Sequence, residues 1–247
     1  MTRRILVTGG ATGLGLAVAE RFLDESPELV LVGRRRERLD AATARLRERD
    51  EKAQVSTYSC DLADPAAVES LAAELVAGPT IDVLVLNAGG NFGGGGDALA
   101  DVADAWRADF DGNVLTTVLL TEALLPHLSR PGHVVAVSSV AGLRGAGSYG
   151  AAKAAVNGWT WWMSGRLAAD GITVNAVAPG FVPETEFWSD RIAADPELPR
   201  KRTAAIPMER PGTPTEVAEA VAYLASPGAG WTTGQILGVN GGVVLGR

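Results

Sequence analysis

The chain has 247 residues, of which 47% are hydrophobic and 21% charged, and its formal net charge is −7. This composition is typical of a soluble globular domain, and the negative charge argues against non-specific binding to nucleic acid or to an anionic membrane. One cysteine and two histidines are too few for a disulfide framework or a Cys/His metal site, so no metal is expected.

The N-terminal sequence MTRRILV has a basic start, but its apolar run ends at Val7, where a glycine-rich stretch begins. A signal peptide needs a longer apolar region, and no apolar stretch approaches the roughly 20 residues of a membrane helix. We therefore expect a cytoplasmic protein.

Short β-branched runs alternate with segments of helical period, which predicts parallel strands joined by right-handed helical crossovers. Most of these runs are apolar throughout, as strands buried on both faces are. The predicted strands are 4–8, 28–33, 54–60, 81–87, 133–139, 172–178 and 235–239. The expected fold is therefore α/β: a Rossmann-type, doubly wound, seven-stranded parallel sheet with helices on both faces, in a single domain spanning residues 1–247.

The first strand leads directly into TGGATGLG (8–15), and a plausible helix follows from Leu16. Glycines at 9, 13 and 15 allow a tight turn, a close approach of the backbone to phosphate and close helix packing. The free N–H groups and the helix dipole would then hold a pyrophosphate. A flexible turn is the alternative, but the position between the first strand and the first helix favours a nucleotide site.

Helical starts can be read at several later points in the chain. Residues 36–48 place Leu39, Ala42 and Leu46 on one stripe, and Pro65 opens a second amphipathic segment. The stretch Thr213–Glu216 reads as a capping box for a helix through residue 225. Residues 88–98, rich in glycine, and 181 to about 212, rich in proline and charge, are predicted to be loops, the second serving as a substrate lid.

These motifs resemble, over essentially the whole chain, the compact single-domain branch of the short-chain dehydrogenase/reductase family. Besides the T-G-x-x-x-G-x-G turn, the resemblance rests on Cys60-Asp61-Leu62, Asn87-Ala88-Gly89, Asn113, Ser139, Tyr149 with Lys153, Asn175, Pro179-Gly180, Thr233-Gly234-Gln235 and Asn240-Gly241-Gly242. It implies an oxidoreductase that resembles 3-oxoacyl-[acyl-carrier-protein] reductases and other ketoreductases. Cofactor contacts are then expected at Thr8, Gly9, Thr12, Gly13, Leu14, Gly15, Asp61, Leu62, Asn87, Ala88, Gly89, Tyr149, Lys153, Pro179, Gly180 and Val182.

The end of the second strand indicates which cofactor is used. NAD-preferring dinucleotide folds place an acidic residue there, whereas this chain has Gly33-Arg34-Arg35. A guanidinium attracts a 2′-phosphate, and each charge-assisted hydrogen bond contributes about 1.5–3 kcal/mol. Arg34 and Arg35 therefore favour NADP(H) over NAD(H), while Arg36 and Arg38 are read as solvated charges at a helix start.

Tyr149 and Lys153 are four residues apart and so share one helix face. A nearby ammonium and a positive nicotinamide ring would lower the phenol pKa from about 10, which makes Tyr149 a plausible general acid or base. Ser139, after the fifth strand, could bind the substrate oxygen. The resemblance adds that Lys153 holds the nicotinamide ribose and that Asn113 positions a water in a proton relay. Alone, each residue would have an ordinary structural explanation.

Tyr149 follows Ser139 by only ten positions, so the connecting loop 140–148 is shorter than in much of the family and the pocket should be more open. Arg144 on this loop becomes a candidate substrate contact, and strand alternation does not decide between Ser138 and Ser139. Phe187 and Trp188 are candidate apolar walls. The family's threonine after Pro179-Gly180 comes late, at residue 185, which leaves its contact open.

Three tryptophans, Trp159, Trp161 and Trp162, cannot all face one core, so some should meet another subunit. The resemblance implies a homotetramer, with a dimer as the alternative. The leading hypothesis is an NADPH-dependent ketoreductase or alcohol dehydrogenase acting on a small molecule. Asp170 stands where a carrier-protein reductase would be expected to show a cation. A catalytically silent dinucleotide sensor should lack the Tyr149/Lys153 pair.

Overall fold

The computed structural model of the chain describes residues 2–245, and its centre is a sheet of seven parallel strands in the order β3-β2-β1-β4-β5-β6-β7. The strands are β1 (Arg4–Thr8), β2 (Glu28–Gly33), β3 (Gln54–Ser59), β4 (Ile81–Leu86), β5 (Leu128–Val137), β6 (Ile172–Pro179) and β7 (Ile236–Val239). This topology confirms the predicted Rossmann-type fold. The order reverses between β1 and β4, and the crevice at their carboxyl ends is where such sheets bind ligands.

The α-helices follow the strands in chain order. They are α1 (Gly13–Phe22), α2 (Arg36–Arg49), α3 (Pro65–Leu75), α4 (Leu99–Phe110), α5 (Thr116–Leu124), α6 (Ala141–Arg144), α7 (Gly147–Leu167), α8 (Glu186–Ala194), α9 (Leu198–Thr203) and α10 (Pro214–Leu224). A π-helical turn, Asp111–Leu115, joins α4 to α5. Among residues 2–245, none of the helices combines the length and the apolar composition that a bilayer crossing requires.

The sheet divides the buried side chains into two cores because successive strand residues point to opposite faces. On β1, Ile5 and Val7 belong to the core that includes residues of α1, α2 and α10. Leu6 belongs to the other core, with residues of α3, α5 and α7. Covering both faces leaves ligands access only at the strand ends, which places the site at the sheet edge.

Two predicted helix starts are confirmed by their caps. Asp64 accepts a hydrogen bond from the backbone of Ala66 at the start of α3. At α10, Thr213 and Glu216 form a reciprocal capping box with Pro214 at the first helical position. These side chains satisfy backbone N–H groups that the first turn leaves free.

Two predictions about the secondary structure were wrong. Strand β5 runs from 128 to 137 rather than from 133 to 139, and it carries a register irregularity against β4. Residues 181–212 are not a continuous loop because they contain the helices α8 and α9. The sequence also left 99–124 without an assigned element, whereas the structure has α4, the π turn and α5 there. The glycine-rich segment 88–98 has no regular structure, as predicted.

Candidate active site

The glycine turn after β1 is built by close backbone contacts. Gly9 and Gly13 have φ values of +61° and +54°, a region that favours glycine. A Cβ on Gly15 would lie 2.2 Å from the carbonyl oxygen of Gly9 and 2.5 Å from Nδ2 of Asn87. The start of α1 therefore packs directly on the turn, and the Gly9 N–H ties the turn to β2 by donating to the carbonyl of Val32 at 2.7 Å.

Polar contacts join this turn to the end of β4. The Thr8 hydroxyl accepts hydrogen bonds from the backbone N–H groups of Asn87 and Ala88, both at 2.9 Å. The Asn87 amide donates to the carbonyls of Thr8 and Gly9 at 3.0 and 3.3 Å. These bonds fix the β1 and β4 ends against each other and hold the switch point rigid.

A cavity of about 1100 Å³ extends from the glycine turn across the carboxyl edge of the sheet. Most predicted site residues line it: Gly9, Thr12, Gly13, Leu14, Arg34, Arg35, Asp61, Leu62, Asn87, Ala88, Gly89, Ser139, Arg144, Tyr149, Lys153, Pro179, Gly180, Val182, Phe187 and Trp188. Three others, Thr8, Gly15 and Asn113, are not part of this lining. They contact residues that are, namely Gly9, Asn87 and Gly90.

Arginines cluster at the end of β2. Arg34, Arg35 and Arg38 all line the cavity, and the Arg34 guanidinium lies 5.9 Å from the centre of the Phe92 ring. Arg35 and Arg38 both pair with Glu186 of α8, at 3.1 and 3.2 Å. Arg38 is 51% exposed, as expected for a solvated charge at a helix start, and it also lines the cavity. Its spacing of three residues from Arg35 was the signal that could have placed both on one face.

Tyr149 and Lys153 lie on adjacent turns of α7. Lys153 is 4% exposed, and its Nζ donates to the carbonyl of Val137 at 2.9 Å. The same nitrogen lies 5.9 Å from the centre of the Tyr149 ring. The ammonium is thus fixed between the end of β5 and the phenol, as the shared helix face predicted.

In the protein alone the pKa of Tyr149 lies above its ordinary value, whereas the sequence predicts a lowered value for the phenol beside both the ammonium and a bound nicotinamide ring. Burial raises the pKa of Tyr149 to about 12, and a hydrogen bond with Ser139 and the charge of Arg191 oppose this only in part. Burial also lowers the pKa of Lys153 to about 8. Desolvation disfavours both charged forms, and in this protein it outweighs the effect expected from the lysine. The phenol is therefore held in its protonated form at neutral pH.

The structure distinguishes the two serines at the end of β5. Ser138 is buried, and its hydroxyl donates to Oδ1 of Asn157 at 2.6 Å. Ser139 is half-buried, accepts from the backbone N–H of Ala141 at 3.1 Å, and lies close enough to the phenol to lower the pKa of Tyr149. The hydroxyl beside the phenol is therefore that of Ser139, and Ser138 serves the packing of α7.

Asn113 lies in the π turn and is fully buried. Its side chain accepts from the backbone N–H of Gly90 at 3.1 Å and donates to the carbonyls of Gly90 and Asp109, both at 2.8 Å. A Cβ on Gly89 would lie 2.5 Å from Asn113 Oδ1 and 3.1 Å from Lys153 Nζ. Asn113 therefore anchors the 88–98 segment next to Lys153. Single π turns are frequent at functional sites.

Aromatic side chains form the far end of the cavity. The Phe187 ring lies 5.5 Å from that of Tyr149 and 5.2 Å from that of Trp188, and Trp188 packs edge-on against Phe181 at 5.0 Å. Thr185 is buried and donates to the carbonyl of Val182 at 3.0 Å. The segment predicted to be a lid thus places an apolar wall beside the phenol.

Some motif residues have structural roles. The Asn175 side chain joins β6 to the approach of β7, donating to the carbonyl of Thr232 at 2.7 Å and accepting from the backbone N–H of Gln235 at 3.0 Å. Asp61 accepts from the backbone of Ala63 at 3.1 Å while it lines the cavity. Asp61 therefore caps a local turn as well as lining the cavity.

Comparison with known proteins supports the family resemblance that the sequence motifs indicate. A family model described as enoyl-(acyl carrier protein) reductase matches residues 9–244. A putative ketoacyl reductase of Streptomyces coelicolor is 38% identical, covering 96% of this chain and 95% of the relative. The chain belongs to the short-chain dehydrogenase/reductase family. It is therefore an enzyme of the oxidoreductase class.

Solved structures of this family superpose closely. A structure of actinorhodin polyketide ketoreductase with NADPH is 34% identical, with a TM-score of 0.89, covering 98% of this chain and 97% of that one. An NADPH-bound short-chain oxidoreductase from Pseudomonas aeruginosa, described as having an atypical catalytic centre, is 30% identical, also with a TM-score of 0.89, covering 99% and 98%. Both names specify NADPH for those two proteins.

Proposed function

We propose that this short-chain dehydrogenase/reductase interconverts a ketone and a secondary alcohol with NADP(H), and that Tyr149 is its general acid and base. The observation that carries the proposal is the convergence of Ser139, Tyr149 and Lys153 on the cavity that begins at the glycine turn. A dinucleotide at that turn would direct its reactive end toward these three side chains, because the cavity follows the sheet edge between them.

The residues at the sheet edge fit such a cofactor. The start of α1 at Gly13 has no side-chain cap, so its first-turn N–H groups can bind a pyrophosphate, and no neighbouring atom lies within 3.5 Å of a Cβ built on Gly13. Arg34, Arg35 and Arg38 supply guanidinium donors for a 2′-phosphate. When bound, NADPH supplies the hydride that the carbonyl carbon receives. The NADPH named for the two solved relatives supports the same choice.

Each catalytic side chain has a distinct task in this proposal. Tyr149 is protonated at neutral pH because its pKa is about 12, so it can donate its proton to the carbonyl oxygen during reduction. Ser139 hydrogen-bonds the same oxygen and stabilises its developing charge. Lys153, held by Val137, places its ammonium beside the phenolate that forms. Asn113 keeps the 88–98 segment in place against Lys153.

The carrier-protein alternative has support from names only. Relatives described as ketoacyl reductases and the family model's description both point to acyl substrates. Against it, Asp170 forms an ion pair with Arg130 at 3.3 Å, so the expected docking cation is replaced by a neutralised surface pair. The silent-sensor alternative is disfavoured because Tyr149 and Lys153 are both in place at the cavity.

A homotetramer, with a dimer as the alternative, remains our proposal for the assembly, in a cytoplasmic setting. Trp159 is buried, whereas Trp161 and Trp162 are 57% and 58% exposed on the outer face of α7. On α4, Leu99 and Trp106 are also exposed. Exposed apolar residues on two helices provide a surface that pairing of subunits would cover.

The proposed activity can be tested directly with purified enzyme. A panel of ketones and secondary alcohols is followed at the nicotinamide absorbance, with NADPH/NADP⁺ and NADH/NAD⁺ in parallel. We expect turnover with at least one ketone class and a preference for NADPH. The variants Arg34→Ala and Arg35→Ala should lose that preference by raising KM for NADPH only. A preference for NADH in the wild type would overturn the cofactor assignment.

A further inference from the structure

The lid, residues 181–212, carries two kinds of cationic side chain. On its outer side, Arg200 pairs with Glu197 at 2.6 Å and Lys201 pairs with Asp195 at 2.9 Å. Arg191 and Arg202 instead line the cavity, and neither has a carboxylate within ion-pair distance in the described part of the chain. The charges that face the cavity are therefore the ones left without an acidic partner.

The aromatic wall holds these arginines in place. The Arg191 guanidinium lies 4.6 Å from the centre of the Phe187 ring and 5.3 Å from that of Trp188, and Arg202 lies 5.4 Å from Trp188. Stacking of this kind fixes a guanidinium plane without using its N–H donors. Those donors remain available to a bound molecule. The charge of Arg191 also acts on Tyr149, whose pKa it lowers, so it lies beside the reacting position.

A third cation, Arg144, comes from outside the lid. Arg144 at the end of α6 lines the same cavity, and it too lacks an acidic partner among residues 2–245. The acidic residues at this end, Asp111 and Asp190, also line the cavity. Over the whole wall cationic residues outnumber acidic ones, although the chain carries a net charge of −7, and Arg144, Arg191 and Arg202 are the cations that the proposed cofactor and catalytic roles leave unused. This local reversal of charge favours an anionic ligand.

We infer that the substrate is an aromatic oxo acid: a ketone with a flat apolar body and a carboxylate a few bonds from the reacting carbonyl. The inference rests on the proposed function and names its substrate class. Arg191 would bind the carboxylate through paired N–H donors, and the rings of Phe187 and Trp188 would contact the flat body. In a substrate attached to an acyl carrier, the phosphate lies far from the reacting carbonyl. Arg191 beside the Tyr149 phenol therefore fits a carboxylate close to that carbonyl better than it fits a carrier phosphate.

The test compares acids with their neutral esters. Reduction of 2-oxo-2-phenylacetate and 4-oxo-4-phenylbutanoate, and of their methyl esters, is measured with NADPH. We expect kcat/KM for at least one acid to exceed that for its ester by about ten- to hundred-fold, the range that one or two charge-assisted hydrogen bonds give. Arg191→Met should reduce this ratio to near one, chiefly through KM. The matched control Arg200→Met, on the outer side of the lid, should keep the ratio.

Thermal unfolding of each variant shows whether it is folded. A wild-type enzyme that reduces the esters as well as the acids, or a ratio that survives in Arg191→Met, would overturn the inference while leaving the ketoreductase proposal intact. Absence of NADPH oxidation with every ketone in the wider panel would instead overturn the proposed function, and the inference with it.

A separate observation concerns Asp109, which is the buried residue of α4. It is fully buried, while Trp106 on the same helix is 45% exposed, so the helix directs its acid inward and its indole outward. One carboxylate oxygen accepts from the backbone N–H of Phe92 at 2.8 Å, and the other accepts from the Ser148 hydroxyl at 2.6 Å. No cation pairs with it in the described residues.

These contacts place Asp109 between three parts of the site. Phe92 belongs to the glycine-rich 88–98 segment, Ser148 directly precedes Tyr149, and the Asp109 carbonyl accepts from Asn113 at 2.8 Å. Burying an unpaired carboxylate is costly, and a neutral residue of similar size would avoid this cost. An interaction that only the charged form provides would explain its presence.

The geometry points to Asp109 as a positioning residue that holds the 88–98 segment against α7 directly beside Tyr149, through hydrogen bonds to both of its carboxylate oxygens. Its negative charge raises the pKa of both Tyr149 and Lys153. The other groups acting on Tyr149 are Ser139 and Arg191, and both act in the opposite direction. Asp109 is thus the negative charge that opposes early loss of the catalytic proton.

The pH dependence of ketone reduction tests this role. Asp109→Asn keeps a group able to hydrogen-bond Phe92 and Ser148 but removes the charge, so the alkaline limb of the kcat/KM profile should move to lower pH. Ser148→Ala loses one hydrogen bond and keeps the charge, so its limb should stay near that of the wild type. A uniform loss of activity without movement of the limb would mean that Asp109 is only structural. Asp109→Ser replaces the asparagine variant if that protein does not fold.

Discussion

The buried lysine should make the stability of the enzyme depend on pH in a defined direction. Lys153 has a pKa of about 8 in the folded protein and an ordinary value of 10.5. Between these values the unfolded state binds more protons, so the free energy of unfolding rises with pH across this window. Below pH 8 the ammonium is charged in both the folded and the unfolded state. The folded protein then buries a charge, so the free energy of unfolding is at its lowest.

Replacement of Lys153 by methionine removes this titration. Applying the two pKa values, the wild type should gain about 2 kcal/mol relative to the variant between pH 7.5 and 9.5. Urea unfolding is followed by tryptophan fluorescence at fixed protein concentration, and groups that titrate in both proteins cancel in the difference. Lys52→Met, at an exposed position, is the matched control and should run parallel to the wild type. Parallel profiles for Lys153→Met and wild type would refute the reasoning.

Three further predictions test other parts of the site. Gly15→Ala should destabilise the fold by about 3 kcal/mol and abolish NADPH-induced thermal protection, because its Cβ meets the Gly9 carbonyl at 2.2 Å; thermal unfolding with and without NADPH checks this. Ser138→Ala should lower stability by about 1–3 kcal/mol with little effect on kcat, whereas Ser139→Ala should lower kcat about 10²-fold at unchanged stability. Glu186→Gln frees the arginines at the end of β2, so titration should show NADPH binding about two- to five-fold tighter and NADH binding unchanged.

The sheet was predictable because its signal is local. Apolar β-branched runs place most strands within one or two residues of their true ends, and the cap at Thr213 fixes the start of α10. The fifth strand was misplaced because residues 128–132 include Pro131 and Gly132, which ordinarily argue against a strand. The helices of the lid were missed because they are short and their apolar residues face the cavity rather than a core.

The sequence was sufficient to predict which residues form the site, but not the pKa values of those residues. The spacing of Tyr149 and Lys153 places them on one face, but a sequence does not state how deeply a group is buried. Burial is what raises the pKa of Tyr149 and lowers that of Lys153. Asp109 was missed for the same reason, since an aspartate on a helix is ordinarily exposed. Arg191 gave no signal because its role depends on rings that the fold brings to it.

The central claim is that the Tyr149 phenol gives its proton to the substrate oxygen. Single-turnover reduction of a ketone by enzyme preloaded with NADPH measures this step in wild type and Tyr149→Phe, alongside the NADPH dissociation constant. The account predicts a loss of about 10²–10⁴-fold in the rate of NADPH oxidation with nearly unchanged NADPH affinity. A phenylalanine variant that oxidises NADPH as fast as the wild type would contradict it.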